Sequence, residues 1–269
     1  METITLTFGD CAENHHGMQE IGEKAQAGLT LAELTIAKAY FEERGVECEL
    51  IDLSTFYKAA TQPAYLLIAR NGCGVIVDPD ELVAEQAVLE RDKKAFMRGR
   101  VVNKRARYNL CFSDFDQEPD YENKKGRIVN FTKLPLLSNI RAALPDITAG
   151  DPSLRDITCG DPSLRDIGGD KLSNLQCEAN YYYDTKSTYI GFHGDTERKI
   201  VVAVRLGADF PIHFQWFLET KPVGEMFTSV LKHGDVYFMS EKAVGFDWKR
   251  RKIPTLRHAA GSKKNVVSW

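Results

Sequence analysis

The sequence predicts an α+β protein: an N-terminal α/β extension over residues 1–95, then a β-rich domain over residues 96–269 of antiparallel sandwich or jelly-roll type. Two observations carry this expectation. Helix-like and strand-like stretches alternate up to about residue 95. From Cys177 onward the chain runs in short aromatic and β-branched segments, separated by turn residues such as Gly194, Gly207, Pro211 and Gly234-Asp235. With 43% hydrophobic and 10% aromatic residues among 269, a sizeable core can form.

Taken in order, Thr3 to Phe8 alternates and favours β-branched types, so a strand is expected, and Gly9 to Gly17 is a polar loop carrying His15 and His16. Apolar positions from Ile21 to Tyr40 recur at helical spacing, which predicts a helix over Gln19 to Arg44 with Gly45 as its stop. Val46 to Ile51 is a second strand; Ala64 to Arg70 and Val75 to Val77 form a pair around Asn71-Gly72, and Asp80 to Lys94 has helical composition. A tandem decapeptide, DITAGDPSLR then DITCGDPSLR, begins at Asp146 and trails into DIGGD. Two copies are too few for a solenoid, and Gly-Asp-Pro-Ser is turn chemistry, so residues 146–170 are a surface loop lengthened by duplication. The expected later strands are Cys177 to Tyr183, Tyr189 to Phe192, Lys199 to Leu206, Ile212 to Phe217, Glu225 to Leu231 and Val236 to Met239.

The formal net charge of −3 does not by itself point to a nucleic-acid partner. Basic residues cluster locally, from Lys93 to Arg107 and from Lys249 to Lys252, as a solvated face or as a phosphate-tracking rim. Six scattered cysteines without a CxxC pair suit a reducing compartment. No signal sequence and no bilayer-length apolar stretch is present, so a soluble intracellular protein without a membrane partner is expected, with nothing to choose between cytoplasm and nucleus.

The chemistry-bearing constellation is His193-Gly194-Asp195 followed, after a long gap, by His258. Positions i and i+2 of a strand project to one side, so the first two can act together. Two imidazoles and a carboxylate occupy one face of an octahedral Fe(II) and leave three positions open. His213 and His233 read instead as strand and turn histidines. Adjacent His15 and His16 point apart in extended chain and read as loop residues.

These residues sit in a longer pattern that resembles the AlkB-like family of Fe(II)- and 2-oxoglutarate-dependent dioxygenases. The resemblance runs from about Ala95 to the C-terminus. Phe96-Met97-Arg98-Gly99-Arg100 through Lys104-Arg105-Ala106-Arg107-Tyr108 is similar to the family's "GR…PR…Y" segment, with lysine in place of proline. Asn180-Tyr181-Tyr182 resembles its N-x-Y strand, Phe192 to Glu197 its HxDxE segment, Val204 to Gly207 its S-L-G strand, and Gly234-Asp235-Val236 its G-D-[LV] turn. The resemblance implies a double-stranded β-helix core. It also implies Fe(II) on His193, Asp195 and His258, with 2-oxoglutarate as co-substrate held in part by Asn180 and Tyr182.

Two departures stand out. Where the family has W-x-H-x-[IV]-P, this chain has Trp248-Lys249-Arg250-Arg251-Lys252-Ile253-Pro254, which leaves His258 as the third ligand. The family's arginines beyond the distal histidine, which grip the far carboxylate of 2-oxoglutarate, are replaced by Lys263 and Lys264; Arg205 is the other candidate. By the same resemblance, the substrate is a methylated nucleobase in DNA or RNA, single-stranded or flipped out, with Arg105, Arg107, Tyr108 and Trp248 as lid and wall residues. The rival expectations are the same iron chemistry on a protein or small molecule, and a jelly-roll binding module without catalysis.

Overall fold

The computed structural model describes residues 1–149 and 169–267. The decapeptide repeat lies outside the described residues apart from its first four, which end a helix, and Cys159 lies there too. The rest is a mixed α+β structure dominated by two antiparallel sheets and a helical layer. The larger sheet runs β4 (Cys48–Asp52), β5 (Tyr65–Ala69), β15 (Val236–Met239), β12 (Val201–Gly207), β1 (Thr3–Gly9), β10 (Gln176–Tyr182), β8 (Tyr108–Ser113) and β9 (Ile128–Asn130). Its pairs are antiparallel except β8 with β9. The smaller sheet runs β11 (Ile190–His193), β16 (Thr255–Ala260), β13 (Phe210–Leu218) and β14 (Lys221–Leu231). Two hairpins, β2 (Cys11–Glu13) with β3 (Glu20–Gly22) and β6 (Lys94–Met97) with β7 (Arg100–Asn103), stand apart from both sheets.

Strand alternation sorts side chains between two cores. Ile4, Leu6 and Phe8 of β1, Cys177, Ala179 and Tyr181 of β10, and Val202, Val204 and Leu206 of β12 share one cluster. That cluster includes Leu34, Ala37 and Phe41 of α1 (Leu31–Glu42), Leu82 of α2 (Pro79–Ala87), and Leu137, Ile140, Leu144 and Ile147 of α3 (Pro135–Ala149). Each large apolar side chain buried there contributes about 1.5–3 kcal/mol. On the opposite face, Val201, Ala203, Tyr237 and Met239 meet Ile212, Phe214, Trp216 and Leu256 of the smaller sheet. The Trp216 indole N–H is satisfied by the Leu53 carbonyl at 2.9 Å.

The N-terminal residues are not a separate sheet. β1 pairs with β10 on one side and β12 on the other, and β4 and β5 continue the sheet beyond β15. The boundary expected at residue 95 therefore crosses a continuous layer. The helix expected from Gln19 begins only at Leu31, because Glu20–Gly22 pairs with Cys11–Glu13 and Thr30 with Glu33 forms a capping box. The chain turns after α1 at Gly45, with φ +76°. The hairpin expected around Asn71-Gly72 is absent. Asn71 takes φ 52° and opens a short 3-10 turn, while β5 pairs with β4 and β15. The six expected later strands are found, within a few residues at each end, while β16, which carries His258, lies where no strand is expected. The five described cysteines are free thiols, four of them buried. No described helix is long and apolar enough to cross a membrane.

Candidate metal centre and its cavity

His193 closes β11 and lies opposite His258 of β16 in the strand register. An irregularity in the pairing between Ile190 and His193 re-aims the end of β11. Asp195 follows two residues later, its backbone N–H donating to the Val244 carbonyl at 3.1 Å. Gly194 between them touches the turn after the short helix Glu241–Val244; a Cβ at Gly194 would lie 2.2 Å from the Gly245 carbonyl oxygen and 2.8 Å from Trp248 Cβ. Only glycine fits that approach.

The result is a compact donor set. One potential ligand atom from each of His193, Asp195 and His258 lies within 4.8 Å of the others. Asp195 Oδ1 is 3.5 Å from His193 Nε2 and 3.7 Å from His258 Nε2. His193 Nδ1 is 2.8 Å from the Gly191 carbonyl, which makes Nδ1 the protonated nitrogen and leaves the Nε2 lone pair facing the cluster. Burial, then the neighbouring His193 and Arg198, hold His258 well below its ordinary range, so it is a neutral imidazole. The set matches what a divalent transition metal takes from two histidines and a carboxylate on one face.

Arg198 supports this cluster and went unnoticed in the sequence. It is 4% exposed, and its Nε lies 3.5 Å from Asp195 Oδ2, the oxygen turned away from the imidazoles. The same guanidinium pairs with Glu178 at 2.6 Å and Glu197 at 3.0 Å. Burial raises Glu178, but the Arg198 charge and hydrogen bond, the Arg107 charge and the Asn180 amide together outweigh it and hold that carboxyl below its ordinary value. Burial and then the Asp195 charge raise Glu197.

The triad opens into a cavity of about 340 Å³. Its floor is the face of the larger sheet that carries polar side chains. Asn180, Thr5 and Arg205 lie side by side across β10, β1 and β12, with Tyr182 further along β10, and all four line the cavity. Asn180 Oδ1 accepts from Arg107 Nε and from Asn109 Nδ2, while Asn180 Nδ2 donates to Glu178 at 3.1 Å. Arg205 is fully buried, flanked by the rings of Phe210 at 5.2 Å and Tyr182 at 5.9 Å, and its Nε and Nη1 have no hydrogen-bond partner.

The expected lid and wall residues divide around this cavity. Arg107 and Trp248 line it; Arg105 and Tyr108 do not. Arg105 is exposed, with its carbonyl accepting from Tyr183 Oη, and Tyr108 stacks on Tyr183 at 4.7 Å. Lys263 and Lys264 sit exposed on the short helix Lys263–Val266, away from the cavity, because β16 ends at Ala260 and the chain turns outward. Arg205 is thus the one of the three proposed carboxylate-binding cations that reaches the site. His213 is a satisfied core histidine, 2.9 Å from Thr228 Oγ1 and 2.8 Å from the Gly261 carbonyl. His233 is a turn residue that accepts from Gly207 N–H.

The loop after β2 supplies the wall that the sequence did not reveal. Glu13, His15 and His16 all line the cavity, so the two histidines are loop residues, as expected, yet face the site. Glu13 accepts from Gly17 N–H at 2.5 Å; burial and then the Glu197 charge push its carboxyl up to about 8. Burial, then Lys104 and Arg107, lower His15 to about 4. Nothing local signals this wall, since Glu13 and Asp195 are far apart in the chain and meet only through the sheet.

No family model matches the sequence. The chain is 44% identical over 269 residues to the uncharacterized protein R156 of Acanthamoeba polyphaga mimivirus, a match that covers 98% of each protein. It belongs to the same family as that viral protein.

Proposed function

We propose that this member of the R156 family is an Fe(II)- and 2-oxoglutarate-dependent dioxygenase of AlkB-like type that hydroxylates or oxidatively demethylates a methylated nucleobase in DNA or RNA. The observation that carries the proposal is the His193, Asp195 and His258 cluster, with its donor atoms within 4.8 Å, at the wall of a cavity that also holds a buried arginine. The two facing antiparallel sheets are compatible with a double-stranded β-helix, and the proposal takes the core to be one.

The donor set fits the metal: two nitrogens and one oxygen on one side leave the cavity side for other ligands. Bound there with its co-substrate, Fe(II) supplies the activation of dioxygen that drives the decarboxylation of 2-oxoglutarate and the hydroxylation of a C–H bond. The protein's share is orientation and charge. The Gly191 carbonyl sets the tautomer of His193, Arg198 holds Asp195 through Oδ2 so that Oδ1 faces the imidazoles, and Arg205 offers a buried cation for a carboxylate. For the substrate, support comes from Arg107 and Trp248, which line the cavity, and from the basic residues Lys249 to Lys252 that follow Trp248.

Anaerobic titration with Fe(II) and 2-oxoglutarate should give the weak visible charge-transfer band of the chelate, and His193→Ala or Asp195→Ala should abolish it while the far-UV circular dichroism is unchanged. A band that survives in either variant would refute the metal assignment. In air, absence of succinate formation by the wild type would favour the non-catalytic binding module. Turnover without salt-sensitive affinity for single strands would favour a protein or small-molecule substrate.

A further inference from the structure

Thr5, in the segment that the family resemblance leaves out, occupies a position with an unmet hydrogen bond. Its side chain is 5% exposed, lines the metal cavity, and its hydroxyl has no partner. In the sheet register Thr5 lies directly opposite Arg205, whose Nε and Nη1 are likewise without partners. Side chains directly opposite in an antiparallel pair stand on the same face, about 4.5–5.5 Å apart at Cβ. Thr3 and Thr7 share that face; Thr3 is already engaged, donating to the Leu206 carbonyl at 2.9 Å.

A buried guanidinium with two free donor atoms beside a buried free hydroxyl is costly unless something fills it, because unsatisfied buried polar groups forfeit their hydration. The complementary group is a planar anion. A carboxylate accepts a charge-assisted hydrogen bond from a guanidinium and a further hydrogen bond from a hydroxyl. The rings of Tyr182 and Phe210 flank the guanidinium at 5.9 and 5.2 Å, an apolar setting that strengthens such contacts.

We propose that Thr5 is a co-substrate-binding residue: its hydroxyl and the Arg205 guanidinium together form a carboxylate subsite across β1 and β12, one that takes the far carboxylate of a dicarboxylic 2-oxo acid. The choice of ligand rests on the dioxygenase reading above. The N-terminal strand then belongs to the binding site as well as to the sheet, and the arginines that the family places after the distal histidine are replaced by a cation and a hydroxyl from other strands.

The test compares 2-oxoglutarate with 2-oxopentanoate, which keeps the carbon chain and the chelating end but lacks the far carboxylate. Affinities are read from the charge-transfer band under anaerobic Fe(II), so no turnover is needed. Wild type should prefer 2-oxoglutarate by about a hundredfold. Thr5→Val, which keeps the shape and removes the hydroxyl, should reduce that preference about tenfold, and Thr5→Ser should restore it. Arg205→Met should erase it, with Arg205→Lys intermediate and circular dichroism reporting whether each variant folds. A Thr5→Val protein that keeps the full preference would overturn the role of Thr5 and leave the metal assignment standing. A wild type that binds both acids alike would overturn the subsite. Failure of wild type to bind either acid would instead remove the co-substrate reading, and the subsite's ligand with it.

Discussion

Glu13 shows how one residue in the cavity wall couples the site to stability. Its carboxyl sits at about 8 in the folded protein against 4.5 for the free side chain. Below about pH 4.5 both folded and unfolded chains hold the proton and the residue costs nothing. Between about 4.5 and 8 the unfolded chain ionises first, so the native state loses stability as pH rises, and the full penalty is present above about 8. Glu13→Gln in the metal-free protein should therefore raise the denaturation midpoint above about pH 8 and change little near pH 4.5; equal effects at both ends of that range would refute the buried neutral carboxyl. At the same scale, His193 and Asp195 could be picked out as candidate metal ligands because their chemistry is carried by residue type and parity, whereas His258, one of three downstream histidines, could be picked out only by the family resemblance. Arg198 could not, although it stands three residues after Asp195, since a charged residue after a motif has no sign of burial until Glu178 is folded onto it.

Among elements, the turn that carries Gly194 is the most exacting. Gly245, with φ +76°, backs directly onto it, and a Cβ at Gly245 would lie 3.0 Å from Gly194 Cα. Gly194→Ala should cost about 1–3 kcal/mol of stability through overpacking and weaken Fe(II) binding by displacing the loop between His193 and Asp195. Calorimetry and a metal titration check both; a variant with wild-type affinity would show that the close approach is dispensable. The later strands were legible because each is a short aromatic or β-branched run beside turn residues, Gly or Pro for most and Asn174 and Asp184 for Cys177 to Tyr183. The start of α1 was misplaced despite a readable Thr30-Leu31-Ala32-Glu33 capping box, since the preceding Ile21 and Ala25 happen to continue its spacing.

For the whole molecule, the position of β1 decides what can be cut away. It supplies hydrogen bonds to β10 and β12 and places Ile4, Leu6 and Phe8 in the core beneath the helices. A fragment of residues 96–269 should expose three strand edges, on β10, β12 and β15, and lose those three side chains, each worth about 1.5–3 kcal/mol. It should show no cooperative thermal transition and no near-UV circular dichroism. A cooperative melt of that fragment would mean that residues 1–95 are an appendage after all.

Residue type and periodicity alone determined the strand-rich second half, the α/β character of the first, and the pairing of His193 with Asp195, because each of these is written in a few neighbouring positions; His258 stands far along the chain and is singled out only by the family resemblance. The assembly of the site was decided only by the tertiary structure. Thr5, Glu13, His15 and Arg205 reach one cavity because strands distant in the chain become neighbours in a sheet, and no local pattern encodes which strand lies beside which. The same packing turned Lys263 and Lys264 outward and buried Arg205 with its Nε and Nη1 free of hydrogen bonds, a distinction between like charges that depends on which way a strand faces.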